Sequence, residues 1–244
     1  MSYIENPKTK DSGIICCIPH NTTCPIKCED CFFISGRSYL EPLQKNLPNM
    51  PSFEEVGHRI VRVNDGNDSN NKQQMVIDSV KHYKQKFYNT SITKNLNKFD
   101  APFVLTLNPG KYTDVDFAQI EPIPSLMFVR LRVNTWNLDL VDDAVEYYSE
   151  REVPIVLTFM AYFKGEIPEA HIEDPEKSSY IFRKRTLNEY WAIKTDSWRG
   201  IMNRYADNKW VYSCGKIEGE RGVTGCRYCG NCVREYHNSM ERMR

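Results

Sequence analysis

The chain has 244 residues, which is enough for one large domain or for one domain with a small appendage. Its 32 basic and 32 acidic side chains cancel, so no global field draws it to an anionic membrane, and nucleic acid is not indicated as a partner. The apolar share of 41%, with 14 Tyr, 11 Phe and four Trp, is ample for a folded core. There is no apolar run as long as a membrane span, and the first residues lack the pattern of a secretory signal. We therefore expect a globular protein without a membrane partner.

The nine cysteines fall into two groups, five in 16–31 and four in 214–232, with none between them. Disulfide frameworks usually distribute cysteines along the whole chain, whereas metal sites concentrate their ligands. The distribution therefore favours metal sites and a reducing, cytoplasmic environment. Cys16 and Cys17 lie inside an apolar run and are expected to pack as small hydrophobic side chains.

Alternating strand and helix signals run through most of the chain. Short apolar runs predict strands at residues 14–18, 59–63, 103–107, 126–133, 153–159 and 190–194. Apolar periodicity predicts a helix at about 71–88 that buries Phe87, a second at 138–151 that buries Leu140, and a third that begins near Thr195. The polar stretch 163–188 is expected to be a long loop or lid. This alternation favours parallel βαβ units and an α/β fold.

The first group of cysteines contains Cys24, Cys28 and Cys31 at the spacing C-x3-C-x2-C, directly after the first predicted strand. Three thiolates so close in sequence can hold three irons of a [4Fe–4S] cluster and leave the fourth iron open. Zinc explains the pattern less well, because structural zinc takes a closed set of four ligands. A chance group of buried cysteines, or half of a zinc site, is the alternative.

At this spacing and position the motif resembles the radical SAM (S-adenosylmethionine) superfamily. The resemblance implies a partial, six-stranded (β/α) barrel whose chemistry lies at the carboxyl ends of the strands. It also implies that the open iron binds S-adenosylmethionine, and that a flavodoxin-like or ferredoxin-like donor supplies the electron that releases a 5′-deoxyadenosyl radical. Many members carry an aromatic residue before the third cysteine, where this chain has Asp30. Phe32 or Phe33 would then stack on the adenine instead.

The turn after the second predicted strand contains Asn64, Asp65 and Gly66. In the radical SAM family this place often holds a glycine-rich acidic motif that binds the ammonium group of S-adenosylmethionine. Gly66 permits a close approach of the backbone to a ligand, and Asp65 would supply negative charge. The alternative is an ordinary polar turn before a helix, since Asn, Asp and Gly are common turn residues.

Polar residues also mark two later strands. Arg130, Arg132 and Asn134 alternate along the fourth predicted strand and so share one face. The resemblance implies that such residues bind the ribose hydroxyls and the carboxylate of S-adenosylmethionine, while a solvated or helix-paired face is the alternative. Asn108, at the end of the third predicted strand, is a further candidate by position.

The second group of cysteines is Cys214, Cys226, Cys229 and Cys232. Four thiolates complete one metal site, and the spacing suits either a second [4Fe–4S] cluster or a zinc ion. A disulfide pair is the third alternative. We expect residues 1–208 to form the partial barrel and residues 209–244 a small C-terminal cysteine-rich, metal-binding module.

Two classes of function follow from these observations. The first is a radical SAM enzyme with a second metal site and an unidentified substrate. The second is a non-catalytic iron–sulfur or zinc protein that uses the same scaffold for binding. Binding of S-adenosylmethionine separates the two classes, because only the enzyme requires it.

Overall fold

A computed structural model of the chain describes residues 2–22, 24–28, 31, 33, 38–108, 120–163, 165, 167–184, 189–214 and 226–244. Its strands are Ile14–Cys17 (β1), Ile60–Val63 (β2), Lys86–Thr90 (β3), Phe103–Leu107 (β4), Leu126–Val133 (β5), Ile155–Phe159 (β6), Tyr180–Lys184 (β7), Glu189–Ile193 (β8) and Val211–Ser213 (β9). Its helices are Leu43–Asn46 (α1), Phe53–Val56 (α2), Gln73–Val80 (α3), Leu138–Glu150 (α4), Ala170–Glu173 (α5), Thr195–Asn203 (α6), Cys226–Cys229 (α7) and Asn231–Arg242 (α8). None of these helices is long and apolar enough to cross a membrane.

Seven strands form one sheet in the order β1-β2-β3-β4-β5-β6-β9, and every neighbouring pair is parallel. The sheet curls into a half-barrel, so the α/β class is confirmed and the architecture is consistent with a partial barrel, with seven strands where six were predicted. Because all seven strands run the same way, their carboxyl ends meet at one rim. This rim collects the loops in which the candidate site residues lie.

The outer, convex face of the sheet is covered by α3, α4 and α6. Apolar side chains of α3 and α4, such as Val76, Val80, Ala144 and Tyr148, pack with strand residues in the main buried core. These side chains recur every three or four residues, as expected for helices that bury one face. Ile201 of α6 joins the same core.

The inner, concave face is filled in part by α8. Seven side chains from six strands pack with Tyr236 of α8 in a second apolar cluster, and these strand residues are Ile14, Ile60, Phe87, Val104, Met127, Phe128 and Val156. Val233 and Met240 lie against the same cluster. The residues after 208, for which the sequence predicts a separate module, thus include a strand of the sheet and the helix inside its curve. Arg242 at the far end of α8 donates from Nη2 to the carbonyl oxygen of Leu126, at 2.9 Å.

Two predictions about local structure are wrong in detail. The predicted helix at 71–88 ends at Val80, and Phe87 lies in β3, a strand that the sequence analysis missed. The spacing of apolar residues fitted a helix, but pairing with β2 and β4 on both sides determines the structure of this segment. Leu140, predicted to be buried, is 41% exposed, because Val141 and not Leu140 faces the sheet.

The segment predicted as a lid is more ordered than expected. It contains α5 and β7, and β7 pairs with β8 in an antiparallel hairpin. The predicted sixth barrel strand is β8, which therefore belongs to the hairpin, while β9 takes the last place in the sheet. Strand identity follows from local residue preference, but the choice of partner depends on segments far away in sequence.

Candidate functional site

The loop with Cys24, Cys28 and Cys31 leaves the carboxyl end of β1, at the rim of the half-barrel. The amide of Cys31 donates to the carbonyl oxygen of Cys28 at 3.1 Å, which turns the chain between the two cysteines. The pKa of the Cys24 thiol is raised to about 11, chiefly by burial and to a smaller extent by the nearby Asp68, Cys28 and Cys31. The thiols of Cys28 and Cys31 therefore lie within electrostatic reach of the Cys24 thiol. Asp30 and Phe32 lie outside the described residues.

No three His, Cys, Asp or Glu side chains in the described part of the chain are placed so that they could hold one metal ion. A [4Fe–4S] cluster binds each thiolate through a different iron, so its ligands stand farther apart than those around a single ion. The loop after β1 carries three thiols at the rim of the half-barrel, and thiolates are the donors that such a cluster needs. The residues present therefore fit an iron–sulfur cluster.

Gly66, in the turn after β2, lies directly against the ring of Phe33 from the cysteine loop. A Cβ atom added to Gly66 would stand 2.1 Å from Cδ2 of Phe33 and 2.7 Å from its Cγ, far inside van der Waals contact. Phe33 is itself only 4% exposed and packs with Ile18, Leu40 and Leu47. The structure thus joins two of the predicted site elements through a contact that only glycine permits.

Asp65 is already paired within the protein. Its carboxylate accepts from Asn6 Nδ2 and forms an ion pair with Arg62, whose side chain is 11% exposed. Asp68 is also engaged, because it accepts from Thr90 Oγ1 at 2.8 Å and from the amide of Ser91 at 2.6 Å. Burial raises the pKa of Asp68, and these hydrogen bonds oppose that shift. The acceptor that remains in the turn is Asn64, whose Oδ1 is buried and has no partner among the described residues.

Three further buried polar atoms near this rim lack a hydrogen-bond partner in the part of the chain that is described. They are Nε2 of His20 after β1, Nδ2 of Asn108 after β4, and Oγ1 of Thr158 in β6. An unpaired polar atom costs free energy when it is removed from water, so buried polar groups are normally satisfied. Like Asn64 Oδ1, each of these atoms belongs to a residue at or just beyond the carboxyl end of a parallel strand, where a polar ligand bound at the rim would complete its hydrogen bonds.

The two predicted arginines of β5 lie on the inner face, on the same side as Phe128. Arg130 Nη1 stands 3.5 Å from both Asn89 Oδ1 and Thr106 Oγ1, and its Nε is buried without a partner in the described residues. Arg132 pairs in register with Thr158 of β6. The side chains of both residues therefore belong to the concave surface and not to the helix-covered face.

Asn134 is engaged in the turn that begins α4. Its Oδ1 accepts from the amide of Trp136 at 3.1 Å, and its Nδ2 donates to Tyr162 Oη at 3.3 Å. Its own amide donates to Asn137 Oδ1 at 3.0 Å. These hydrogen bonds give Asn134 a structural role at the rim. Its contact with a ligand stays a prediction.

Of the four C-terminal cysteines, Cys214 and Cys232 pack against the apolar cluster of the inner face. Cys214 directly follows β9, Cys226 and Cys229 are the first and last residues of α7, and Cys232 lies in the first turn of α8. The pKa of the Cys232 thiol is raised to about 12, chiefly by burial, with smaller contributions from the thiols of Cys214 and Cys226. Burial likewise raises the pKa of Cys226, to which Cys214 and Cys229 contribute. The set has the donor chemistry of a tetrathiolate site, but no three of its described side chains are placed so that they could hold one metal ion.

Two arginines that belong to the sheet stand beside this set. The positive charges of Arg130 and Arg62 oppose the upward shift of the Cys232 pKa, and Arg62 does the same for Cys226. Sequence analysis assigned Arg130 a role towards a cofactor but overlooked Arg62. A signal for Arg62 was present, since a lone charge in the apolar strand Ile60–Val63 requires a partner when both faces of the sheet are covered.

Comparison with known proteins adds no relative: no family model, no curated protein and no solved structure matches the chain. The class of protein that fold and site define is therefore a parallel α/β half-barrel with two groups of cysteines. Anything more specific rests on the residues themselves.

Proposed function

We propose that this protein is a radical SAM enzyme, in which Cys24, Cys28 and Cys31 hold a [4Fe–4S] cluster and S-adenosylmethionine binds at the adjacent rim of the half-barrel. The observation that carries the proposal is the gathering of the cysteine loop, Gly66 and unpartnered polar atoms at the carboxyl ends of parallel strands. Ligands of open parallel α/β sheets bind at this end of the strands. Substrate identity stays open, because a fold does not select a substrate.

In this proposal each rim residue has a role that its chemistry allows. Asn64 Oδ1 is a buried acceptor, suited to the ammonium group of S-adenosylmethionine, whereas Asp65 is neutralised by Arg62. Asn108 Nδ2 is a donor, and Thr158 Oγ1 either donates or accepts, so both suit hydroxyl or carboxylate oxygens. Phe33, packed on Gly66, excludes water from the floor of the loop.

The bound cofactors would supply the difficult chemistry: one electron passes from the reduced cluster to the sulfonium, and a 5′-deoxyadenosyl radical then removes a hydrogen atom from the substrate. A flavodoxin-like or ferredoxin-like protein would deliver the electron. The chain itself would orient S-adenosylmethionine and keep water away from the reacting atoms.

We further propose that Cys214, Cys226, Cys229 and Cys232 hold a second metal centre, either a [4Fe–4S] cluster or zinc. The concentration of four thiols within 19 residues, with Cys214 and Cys232 against the inner cluster, supports this assignment. A complete set of four thiolates leaves no open coordination position for a substrate.

The test is an anaerobic reconstitution of the full chain with iron and sulfide, followed by metal analysis and by an assay of 5′-deoxyadenosine with dithionite and S-adenosylmethionine. We expect deoxyadenosine from the wild-type chain, and none from Cys28→Ala. The matched variant Cys229→Ala should lose the second centre and keep the iron of the first.

Iron uptake at the loop without S-adenosylmethionine binding and without deoxyadenosine would refute the enzyme. The non-catalytic iron–sulfur or zinc protein would then be the correct class. Two clusters and one cluster plus zinc are distinguished by the iron and zinc content per chain.

A further inference from the structure

The concave face of the sheet changes from apolar to polar towards the carboxyl ends of β4, β5 and β6. Its lower part is the apolar cluster against α8, which includes Phe128 and Val156. The next inward-facing residues on these three strands, which follow from the alternation along each strand, are Thr106, Asn108, Arg130, Arg132 and Thr158. None of these five side chains is acidic, and two carry a positive charge. The upper part of the concave face is therefore polar and cationic.

Strand register places three of these polar residues in one row across the sheet. Arg132 of β5 pairs with Thr158 of β6. Asn108 directly follows Leu107, whose partner in β5 is Leu131, so Asn108 lies across from Arg132 on the other side. Neighbouring strands are about 4.8 Å apart. The row therefore crosses three adjacent strands over about 10 Å of backbone, with Arg132 in the middle.

Arg130 lies one inward position below this row and is held only loosely. It pairs in register with Thr106, and its Nη1 stands 3.5 Å from both Thr106 Oγ1 and Asn89 Oδ1. Hydrogen bonds from N–H to oxygen normally measure about 2.7–3.2 Å, so both contacts are long. Its Nε is buried without a partner, and no carboxylate in the described part of the chain pairs with it. The guanidinium charge is therefore incompletely compensated.

The neutral neighbour of Arg130 is itself fixed in place. Asn89 is only 7% exposed, and its Nδ2 donates to the carbonyl oxygen of Val63 at 3.2 Å. This bond orients the amide so that Oδ1 faces Arg130. On the opposite side, the guanidinium carbon of Arg130 stands 5.6 Å from the centre of the Phe128 ring. The arginine is thus positioned between a buried amide and an aromatic ring.

The unsatisfied atoms of this surface share one chemistry, the ability to donate. Nε of Arg130, Nδ2 of Asn108 and Oγ1 of Thr158 are all buried without a partner among the described residues. Guanidinium and amide nitrogens only donate, and a hydroxyl group can do so. A ligand that satisfies all three must present acceptor oxygens, and the positive charge favours an anion. Carboxylate and phosphate groups meet both conditions, and the planar fork of arginine suits them.

This surface is separate from the place proposed for the amino-acid end of S-adenosylmethionine. That end is assigned to the cysteine loop after β1 and to Asn64 after β2. Arg130 belongs to β5, three strands beyond β2 in the sheet, which corresponds to about 14 Å along the sheet. The arginine therefore faces a different part of the concave surface.

We propose that Arg130, together with Asn108 and Thr158, binds an acidic group of the substrate, either a carboxylate or a phosphate, on the concave face of the half-barrel. The anion completes the hydrogen bonds of the three donors and neutralises the guanidinium. The substrate class is then a molecule with at least one oxyanion. Its assignment as a substrate site rests on the proposed function, whereas the anion site requires neither the cluster nor S-adenosylmethionine.

The experiment measures binding of inorganic phosphate and, separately, of succinate by the full chain under anaerobic, reducing conditions. The midpoint of thermal unfolding is followed against anion concentration at constant pH, with sodium chloride keeping the ionic strength constant, because a ligand that binds only the folded chain raises this midpoint. The variants are Arg130→Met and Thr158→Val. The matched control is Arg199→Met, whose side chain is 58% exposed and pairs with Asp196 on the surface. Circular dichroism verifies the fold of each chain.

We expect saturable binding of at least one anion by the wild type, and the tighter of the two indicates whether the group is a phosphate or a carboxylate. Binding should be at least about tenfold weaker for Arg130→Met, because hydrogen bonds to charged groups are strong, weaker for Thr158→Val, and unchanged for Arg199→Met. No saturable binding of either anion, or equal binding by Arg130→Met, would overturn the proposal. Should Arg130→Met not fold, Thr158→Val decides, and unchanged affinity there overturns it.

A second measurement separates a substrate site from a cofactor site. Binding of S-adenosylmethionine to the iron-reconstituted chain, followed by equilibrium dialysis, should be the same for the wild type and Arg130→Met. An equal loss of S-adenosylmethionine and anion binding would assign Arg130 to the cofactor and overturn the proposal. If the wild type bound the anion but formed no deoxyadenosine and bound no S-adenosylmethionine, the radical function would be wrong and the anion site would stand.

Discussion

The contact between Gly66 and Phe33 permits a quantitative test of how the cysteine loop is held. In Gly66→Ala the new Cβ would lie 2.1 Å from Cδ2 and 2.6 Å from Cε2 of Phe33. Ordinary contacts between carbon atoms are about 3.5–4.0 Å, so the ring or the backbone must move by more than 1 Å. The ring has little room, because Phe33 is only 4% exposed and packs with Ile18, Leu40 and Leu47.

Overpacking of this kind typically costs about 1–3 kcal/mol of stability. The cost should vanish when the ring is removed. In a Phe33→Ala background, the new Cβ of Gly66→Ala meets no ring. Alanine has fewer backbone conformations than glycine in the unfolded chain, so the substitution should then stabilise the fold by about 0.4–1 kcal/mol. Phe33→Ala alone is expected to cost about 3–5 kcal/mol, as for other buried aromatic residues.

Denaturant unfolding of the wild type, both single variants and the double variant gives the coupling free energy of this cycle. We expect a coupling of about 1.5–4 kcal/mol, from the difference between the two effects of Gly66→Ala. Gly200→Ala is the matched control, because a Cβ at Gly200 in α6 meets no atom within 4 Å. It should stabilise the chain slightly, as alanine favours a helix over glycine. Additive effects of Gly66→Ala and Phe33→Ala would refute the contact.

Two further predictions address the buried histidine of the rim and the helix inside the sheet. Burial and the charge of Lys72 lower the pKa of His20 from its usual 6.5. The stability that the neutral imidazole contributes is therefore fully present above pH 6.5, and it is lost as the pH falls through the lower pKa of His20 in the folded state. His20→Gln should therefore flatten the fall in melting temperature between pH 7.5 and 5.5, and an unchanged slope would contradict this. Tyr236→Ala should cost about 3 kcal/mol in denaturant unfolding because it removes a buried ring from the inner cluster. Tyr228→Ala, which removes a ring that is 51% exposed, should stay within about 0.5 kcal/mol, and equal losses would show that α8 does not pack as described.

Local sequence patterns were sufficient for most of the sheet. Five predicted strands, at 14–18, 59–63, 103–107, 126–133 and 153–159, coincide with β1, β2, β4, β5 and β6 within two residues. They are short apolar runs between turn residues, and such runs favour a buried parallel strand whatever their neighbours are. The two groups of cysteines were equally visible, because residues that are close together along the chain can be recognised without the tertiary structure.

Pairing and burial of individual residues were not predictable in the same way. In β3, Phe87 continues the apolar spacing of the preceding helix, and only the gap between β2 and β4 makes it a strand residue. Residues 189–193 have strand character, but their pairing with β7 rather than with the barrel depends on the hairpin geometry. Arg62 looked like an isolated charge, since its partner Cys16 lies 46 positions away in sequence.

The amino-acid sequence by itself determined the α/β class, the positions of most strands, and the two sets of thiols, because each of these depends on residues that are neighbours along the chain. Only the tertiary structure decided that α8 packs inside the curve of the sheet, that Phe33 lies on Gly66, and that Asp65 is bound to Arg62. These arrangements depend on which faces meet when the sheet curls. Contacts between distant segments compete for the same buried surface, and that competition is resolved only when the whole chain is packed.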